Sequence, residues 1–154
     1  MAILGTKKII HQKASFIVEI PGLGGAAFQK CSELAKDIEQ SSIREGGVLI
    51  PHKQPALVSY SDVSLERGMS GDKALYDWVE AVADAAQNSG LTEPEYKRTI
   101  DIVQIDRARR PRLRFRLYNA FPVKYVAGEW DNESSEFVIE KITLAYDYFK
   151  RQVV

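Results

Sequence analysis

Few side chains in this 154-residue sequence combine a reactive type with a spacing that could run a reaction. His11 and His52 stand 41 positions apart, and neither belongs to a cluster with the short spacings that hold zinc. Cys31 is the single cysteine, and with His52 as base it sketches the nucleophile pair of a hydrolase. A lone cysteine is more commonly a small buried hydrophobe. The glycines of PGLGG (21–25) lack the Lys, the Ser/Thr and the strand-to-helix setting of a phosphate loop, which leaves them a turn. DNESSE (131–136) resembles a calcium loop in composition only, without the ligand spacing of an EF-hand. The expectation is a protein without catalysis, metal or cofactor.

Charge offers more. RARRPRLRFR (107–116) holds six arginines and no acid, whereas EWDNESSEFVIE (129–140) holds Glu129, Asp131, Glu133, Glu136 and Glu140 and no base. Placed on neighbouring antiparallel strands, the two could pair, each pair adding about 0.2–1 kcal/mol. Alternatively, Arg112, Arg114 and Arg116 alternate along one face of a strand as phosphate contacts would. Phe115 falls on the opposite face and cannot interleave with them. Lys+Arg 21 against Asp+Glu 21 also leaves no overall field drawing the chain to nucleic acid or a membrane surface. Arg112, Arg114, Arg116, Glu136 and Glu140 therefore stand as candidate charged inter-strand residues.

The elements that must position these groups fit one domain, 1–154, with 45% hydrophobic and 27% charged residues, as in ordinary globular proteins. One cysteine excludes an internal disulfide framework and suits a reducing site of synthesis. MAILGTKKIIHQ makes a poor signal peptide, because Lys7 and Lys8 interrupt its apolar run. Nothing approaches the roughly 18 apolar residues of a membrane span. ASFIVEI (14–20) alternates as a strand, AAFQKCSEL resumes one, and IEQSSIRE (38–45) is another. VSYSDVSLERG carries Val63 and Leu65 in period two. DKALYDWVEAVADAAQ (72–87) places Leu75, Trp78, Val79, Val82 and Ala86 on one helical face, with Ser70 as N-cap and Asn88-Ser89-Gly90 as stop. After the TEPEY loop (92–96) come TIDIVQID (99–106), a turn at RARRP, and RLRFRLYNAF with Leu113, Phe115 and Leu117 on one face. Asn119 to Pro122 bends that strand, VKYVAG continues it, and FVIEKITLAYDYF (137–149) closes the set. Seven or eight strands with local connections and one flanking helix predict a mainly β fold, an antiparallel sandwich or barrel.

One stretch resists this pattern. In SIREGGVLIPHKQPALVSYSDVSLERG (42–68), the segment 46–58 has two glycines and two prolines, yet carries Val48, Leu49, Ile50, Leu57 and Val58. Structureless loops longer than about 12 residues are uncommon and are usually functional or disordered. Its apolar content argues against disorder. Two destinations remain for those side chains: the chain's own sheet, or a neighbouring subunit.

The residues also carry a resemblance. IREGGVLIPHKQPALVSYSDVSLERGMSGDKALYDWVEAV (43–82) resembles the central block of the phage tail tube family. That block has an R-E-G-G turn, a basic-proline loop, a strand ending in E/K-R-G, and a D-x-A-L-x-x-W helix. LRFRLYNAFPVKYVAGEWDNESSEFVIEKITLAYDYF (113–149) is similar to its C-terminal block, with N-A-F-P-V-K and E-x-x-I-E-x-I-x-L-x-aromatic. FIVEIPGLGGAAFQKCSEL is similar to its opening, although Cys31-Ser32-Glu33-Leu34 replaces the usual S-G-L. The resemblance runs collinearly over nearly the whole chain; 88–111 matches least.

It implies an inner tube protomer of a contractile phage tail or extracellular contractile injection particle, with hexameric rings stacking into a hollow tube. The implied partners are further copies of the chain, a sheath outside, baseplate or initiator and terminator proteins, and tape measure, DNA or toxin cargo in the lumen. Assembly would take place in the bacterial cytoplasm. An extended inter-subunit loop is implied at about 46–57. It makes Arg44, Glu45, Gly46, Gly47, Val48, Leu49, Ile50, Pro51, His52, Lys53, Pro55 and Leu57 candidate contact residues, and lets the charged candidates line the lumen. Type VI secretion rings that chaperone effectors, and tube initiators or minor tube proteins, share the pattern and remain alternatives.

Overall fold

In a computed structural model, residues 11–13, 15–23, 27–47, 49–87 and 96–153 are described. The expected helix stop at 88–90, most of the TEPEY loop, Gly24, Gly25 and Val48 lie outside them. The first half of the chain forms β1 (Phe16–Glu19), β2 (Lys30–Cys31), β3 (Lys36–Ile43), β4 (His52–Tyr60) and β5 (Val63–Gly68), of which β5 alternates apolar and polar residues as expected. After the helix α1 (Ala74–Gln87) follow β6 (Arg98–Ile105), β7 (Pro111–Val126), β8 (Ile139–Ala145) and β9 (Tyr148–Gln152). Among the described residues the mainly β, antiparallel architecture with one flanking helix is as the sequence implies. Its seven-stranded sheet follows the path β1-β6-β7-β8-β5-β2, with β9 also on β7, so it has two ends and does not close as a barrel.

The axis of this sheet is β7, sixteen residues long. Its first half pairs with β6 (Ile100 opposite Leu117) and with β9 (Leu117 opposite Phe149); its second half pairs with β8 (Phe121 opposite Ala145). Between the halves Asn119 takes φ 55°, a left-handed conformation that asparagine tolerates better than most residues. Its side-chain amide donates to Asp147 Oδ2 at 2.7 Å, and the Asp147 N–H donates to the Tyr118 carbonyl at 3.0 Å. The strand turns there, and the two halves of the sheet present their apolar faces to one core. Val18, Ile100 and Leu117 arrive from one half, and Val63, Leu65, Ile142 and Leu144 from the other.

α1 completes that core with Leu75 and Trp78, both buried as the helical periodicity requires. Trp78 Nε1 donates to the Tyr96 carbonyl at 2.7 Å, which satisfies the one polar atom the ring brings inside. The cap differs from expectation. Asp72 Oδ1 accepts the Ala74 N–H at 3.0 Å, while Ser70 Oγ accepts the N–H of Asp72 itself at 3.3 Å. The shorter turn favours aspartate as the cap, and its negative charge lies beside the positive helix end.

One charged pair sits inside. The alternation Val63, Leu65, Arg67 carries Arg67 onto the core face of β5, directly opposite Glu140 of β8. Both are buried, and Arg67 Nε donates to Glu140 Oε1. Tyr125 Oη donates to Glu140 Oε2 at 2.7 Å; burial first, and then this hydrogen bond, push the phenol up to about 12, so it remains a donor. Arg67 also lies 3.7 Å from Asp72, tying β5 to the start of α1. Removing one partner strands a charge, at a typical cost of about 3–5 kcal/mol. Glu140→Gln and Arg67→Met should each lower the urea midpoint strongly. The double variant should lose less than the sum, a non-additivity that a denaturation cycle measures directly.

Candidate functional site

The segment that resisted the sequence pattern is not a loop packed on its own sheet. β4 begins at His52, so most of it is a strand, paired antiparallel with β3 from His52 opposite Ile43 to Tyr60 opposite Lys36. Gly47, at φ 89°, supplies the left-handed step that reverses the chain after Arg44, Glu45 and Gly46. Leu49, Ile50 and Pro51 complete the connection, Lys53 pairs with Ser42, and Pro55 stands opposite Gln40 at a register irregularity, where its missing N–H is tolerated.

The hairpin is exposed along nearly its full length. Leu49 is 89% exposed, Ile50 76% and Leu57 72%, and Ile38 and Val58, facing one another across the ribbon, are also exposed. Leu57 and Val58 are neighbours on a strand and point to opposite faces, so neither face is covered. β3 and β4 form a sheet of two strands, and both of its outer edges are open among the described residues. Its base, in contrast, is locked. Tyr60 packs edge-to-face on Tyr146 and Phe149 at centroid distances of 6.0 and 5.4 Å, and Lys36 Nζ sits 5.4 Å from the Tyr60 and Phe149 ring centroids. A ribbon anchored at its aromatic base, with exposed apolar side chains on both faces among its polar ones, projects from the body.

The arginine stripe finds its carboxylates on β1 and β6 and not in 129–140. Asp101 of β6 accepts from Arg114 Nη1 at 2.6 Å and from Arg116 Nε at 2.9 Å, and Arg114 also reaches Glu19 of β1 at 2.8 Å. Arg112 pairs with Asp106 at 3.0 Å. Glu140 is committed to Arg67 and Tyr125, and Glu136 is exposed in the connection before β8. The pairing of 107–116 with 129–140 fails for a geometric reason. β8 lies on the second half of β7, beyond the bend, while the arginines are on or before the first half.

Cys31 is partly buried on β2 opposite Leu65, and burial pushes its thiol up to about 11. His52 is on the separate hairpin, so the sketched nucleophile pair is not assembled. Among the described residues no three His, Cys, Asp or Glu side chains converge as a metal site.

A family model described as T4-like virus tail tube protein gp19 matches residues 12–150. The chain belongs to the T4-like tail tube family. Among solved structures, this tube-family chain is similar to one from an extracellular contractile injection system, the PVC sheath/tube terminator in its extended state. The TM-score is 0.82 at 22% identity, covering 96% of this chain and 100% of that one. It is similar to one from the tube-terminating cap of the anti-feeding prophage, with TM-score 0.80 at 24% identity and full coverage of both chains. Hcp1 from Salmonella typhimurium lies further away, with TM-score 0.52 at 15% identity over 88% of this chain and 83% of that one. At these identities the likenesses carry the fold. No curated protein matches the chain by sequence.

Glu140, Arg114 and Arg116 stand among the charged candidates of the sequence, but their partners Arg67 and Asp101 do not. Arg67 was within reach, since the period-two pattern of VSLERG places it with Val63 and Leu65. Asp101 depends on strand register, which no local pattern announces. Partial burial works to raise the Asp101 carboxyl, but hydrogen bonds and charge from Arg116 and Arg114 outweigh it, and the net shift is downward. Its contribution to stability is therefore complete above the unfolded carboxyl value of about 4 and is lost as pH falls below it. Asp101→Asn should flatten the acid side of the stability profile, read as the thermal midpoint between neutral pH and pH of about 3.

Proposed function

We propose that copies of this chain close into hexameric rings that stack as the hollow inner tube of a contractile phage tail or an extracellular contractile injection particle. The observation that carries this reading is the β3–β4 hairpin, anchored at its base and exposing apolar side chains on both faces. An isolated two-stranded ribbon is marginal in water, and exposed apolar patches of this kind mark interaction surfaces. A neighbouring copy covers Leu49, Ile50 and Leu57, flanked by Arg44, Lys53 and the other residues of the connection. Joining neighbouring subunits also pairs strand edges that a single copy leaves open.

Family membership supports a structural role without catalysis, with DNA or protein cargo in the lumen and initiator and terminator proteins at the ends. The similar chains come from particles described with sheath, tube terminator and cap, and a sheath outside the tube follows by that analogy. A secreted effector-chaperoning ring is the lesser reading, because a solved type six secretion system protein matches the fold less closely than the injection-particle chains do.

Purified protein viewed by negative-stain microscopy should show rings and tubes; a strictly monomeric species at high concentration would sink the proposal. Leu49→Asp with Ile50→Asp should abolish assembly, since charge cannot be buried unpaired. The circular dichroism spectrum and thermal midpoint should stay close to wild type, because both sites are exposed in the monomer. Normal polymerisation of this variant would remove the hairpin from the interface. Cys31→Ser should assemble like the parent; loss of a hydrolytic activity with that substitution would contradict a purely structural role.

A further inference from the structure

The basic and acidic segments do not pair with one another within one copy, and part of each is left over, near the two ends of β7. The β6–β7 turn is shaped by Asp106, whose N–H bonds to the Arg110 carbonyl at 3.0 Å and whose Oδ1 accepts the Arg110 N–H at 2.8 Å. The same carboxylate is the ion-pair partner of both Arg110 and Arg112. Arg107 and Arg109 are exposed and have no ion pair among the described residues. Four guanidiniums against one carboxylate leave this turn with three net positive charges, 4 − 1 = 3.

Beyond the other end of β7, the connection to β8 has the opposite character. Glu129, Asp131, Glu133 and Glu136 stand there without a base, and none is in an ion pair among the described residues. Trp130 is 67% exposed and Phe137 92%, far above what large aromatics normally leave to water. They line an open cleft of about 520 Å³ together with Glu129, Asp131, Glu136 and Glu66, four carboxylates against the single cation Lys141. Its shape is built in advance. Asp131 Oδ1 accepts the Glu133 N–H at 3.0 Å, and the Asp131 carbonyl accepts the Ser134 N–H at 3.1 Å. At Gly128, with φ 120°, an added Cβ would lie 2.6 Å from the Val138 side chain, so glycine is what lets the loop close.

We propose that the arginine turn 107–112 of one copy docks in the Trp130–Phe137 cleft of a second copy, its guanidiniums on Glu129 and Glu136 and over the Trp130 ring. Charge complementarity selects the occupant, and a planar guanidinium suits both carboxylate and indole. No such ion pair is made within one copy among the described residues. Turn and cleft are separated by the sixteen residues of β7, about 50 Å of strand path shortened only by the bend. Between copies it is head to tail, so it propagates rather than pairing two molecules and stopping. This inference rests on the self-assembly proposed above and adds to it a second contact, separate from the apolar hairpin.

Two full-length variants test it, Arg107→Glu/Arg109→Glu and Glu129→Lys/Glu136→Lys, with assembly followed by sedimentation and negative-stain microscopy at low salt. None of the four side chains is in an ion pair among the described residues, so both variants should fold. Each alone brings like charges together and should raise the protein concentration needed for tubes by at least about tenfold, equivalent to roughly 1.4 kcal/mol. An equimolar mixture restores opposite charges at every junction and should assemble like the parent. Wild-type assembly by either variant alone, or no rescue on mixing, would overturn the docking. So would loss of assembly on Trp130→Ala/Phe137→Ala while both charge reversals assemble normally, which would give the cleft to another segment such as the hairpin tip. Failure of the parent chain to form rings or tubes would instead overturn self-assembly itself, and this contact with it.

Discussion

The bend in β7 is the constraint on which the remaining structure depends. A single strand serves two halves of a sheet only if its backbone changes direction without losing its hydrogen-bond partners. Asn119 makes the turn in the left-handed region, and Asp147 holds it from both sides through one side-chain and one backbone hydrogen bond. Because of this bend, Ile100 and Leu117 on one half reach the same core as Leu65 and Ile142 on the other. The bend also decides which charges meet. It puts the arginines beside β6 and β1, and sends the acidic segment to the opposite end, beyond the reach of the arginines whose charge is opposite to its own.

Charge is thus used in three environments, with different physical consequences. Arg67 and Glu140 are enclosed by apolar side chains, where their value lies in mutual compensation and in fixing β5, β8 and α1 together. Asp101, Arg114 and Arg116 form a half-exposed ladder across the sheet, in which one carboxylate serves two guanidiniums and a second carboxylate, Glu19, shares the load. The third group, at the turn 107–112 and the connection 129–137, is solvated, and beyond the two arginines that share Asp106 it has no ion pair among the described residues. A neutral protein with separated excesses of opposite sign has little long-range field and strong local complementarity. That combination suits recognition of copies of itself better than capture of a polyanion.

The hairpin obeys a different logic. Its root is aromatic and fixed, and its length carries aliphatic side chains on two faces with nothing over them. A monomer gains no hydrophobic stabilisation from Leu49, Ile50 or Leu57 while they remain in water. In the proposed ring, burying this surface against a neighbouring copy would supply assembly energy. Apolar contact is non-directional, whereas charge pairing fixes register, so a hairpin contact and a charged contact would divide strength and orientation between them.

Much of this was legible in the amino-acid order. Leu75 and Trp78 occupy the buried face that their helical spacing demands, and Leu117, Val63 and Leu65 occupy the inward positions of strands that alternate. The family was legible as well, since its motifs are local strings in collinear order. These features depend on residues close in sequence, where backbone geometry alone sets which side chains share a face. The conversion of an irregular, proline-bearing segment into strand β4 was not legible, because a strand at an open edge needs no alternation to satisfy a buried face. Nor were the partners of Asp101 and Glu140, which sit 13 or more residues from the groups they bind. Strand register and the direction of one bend decide such pairings, and both are set by packing of the whole core. Residue order determined which charges and apolar groups this protein carries; the tertiary structure decided which are consumed inside one subunit and which remain exposed for contact outside it.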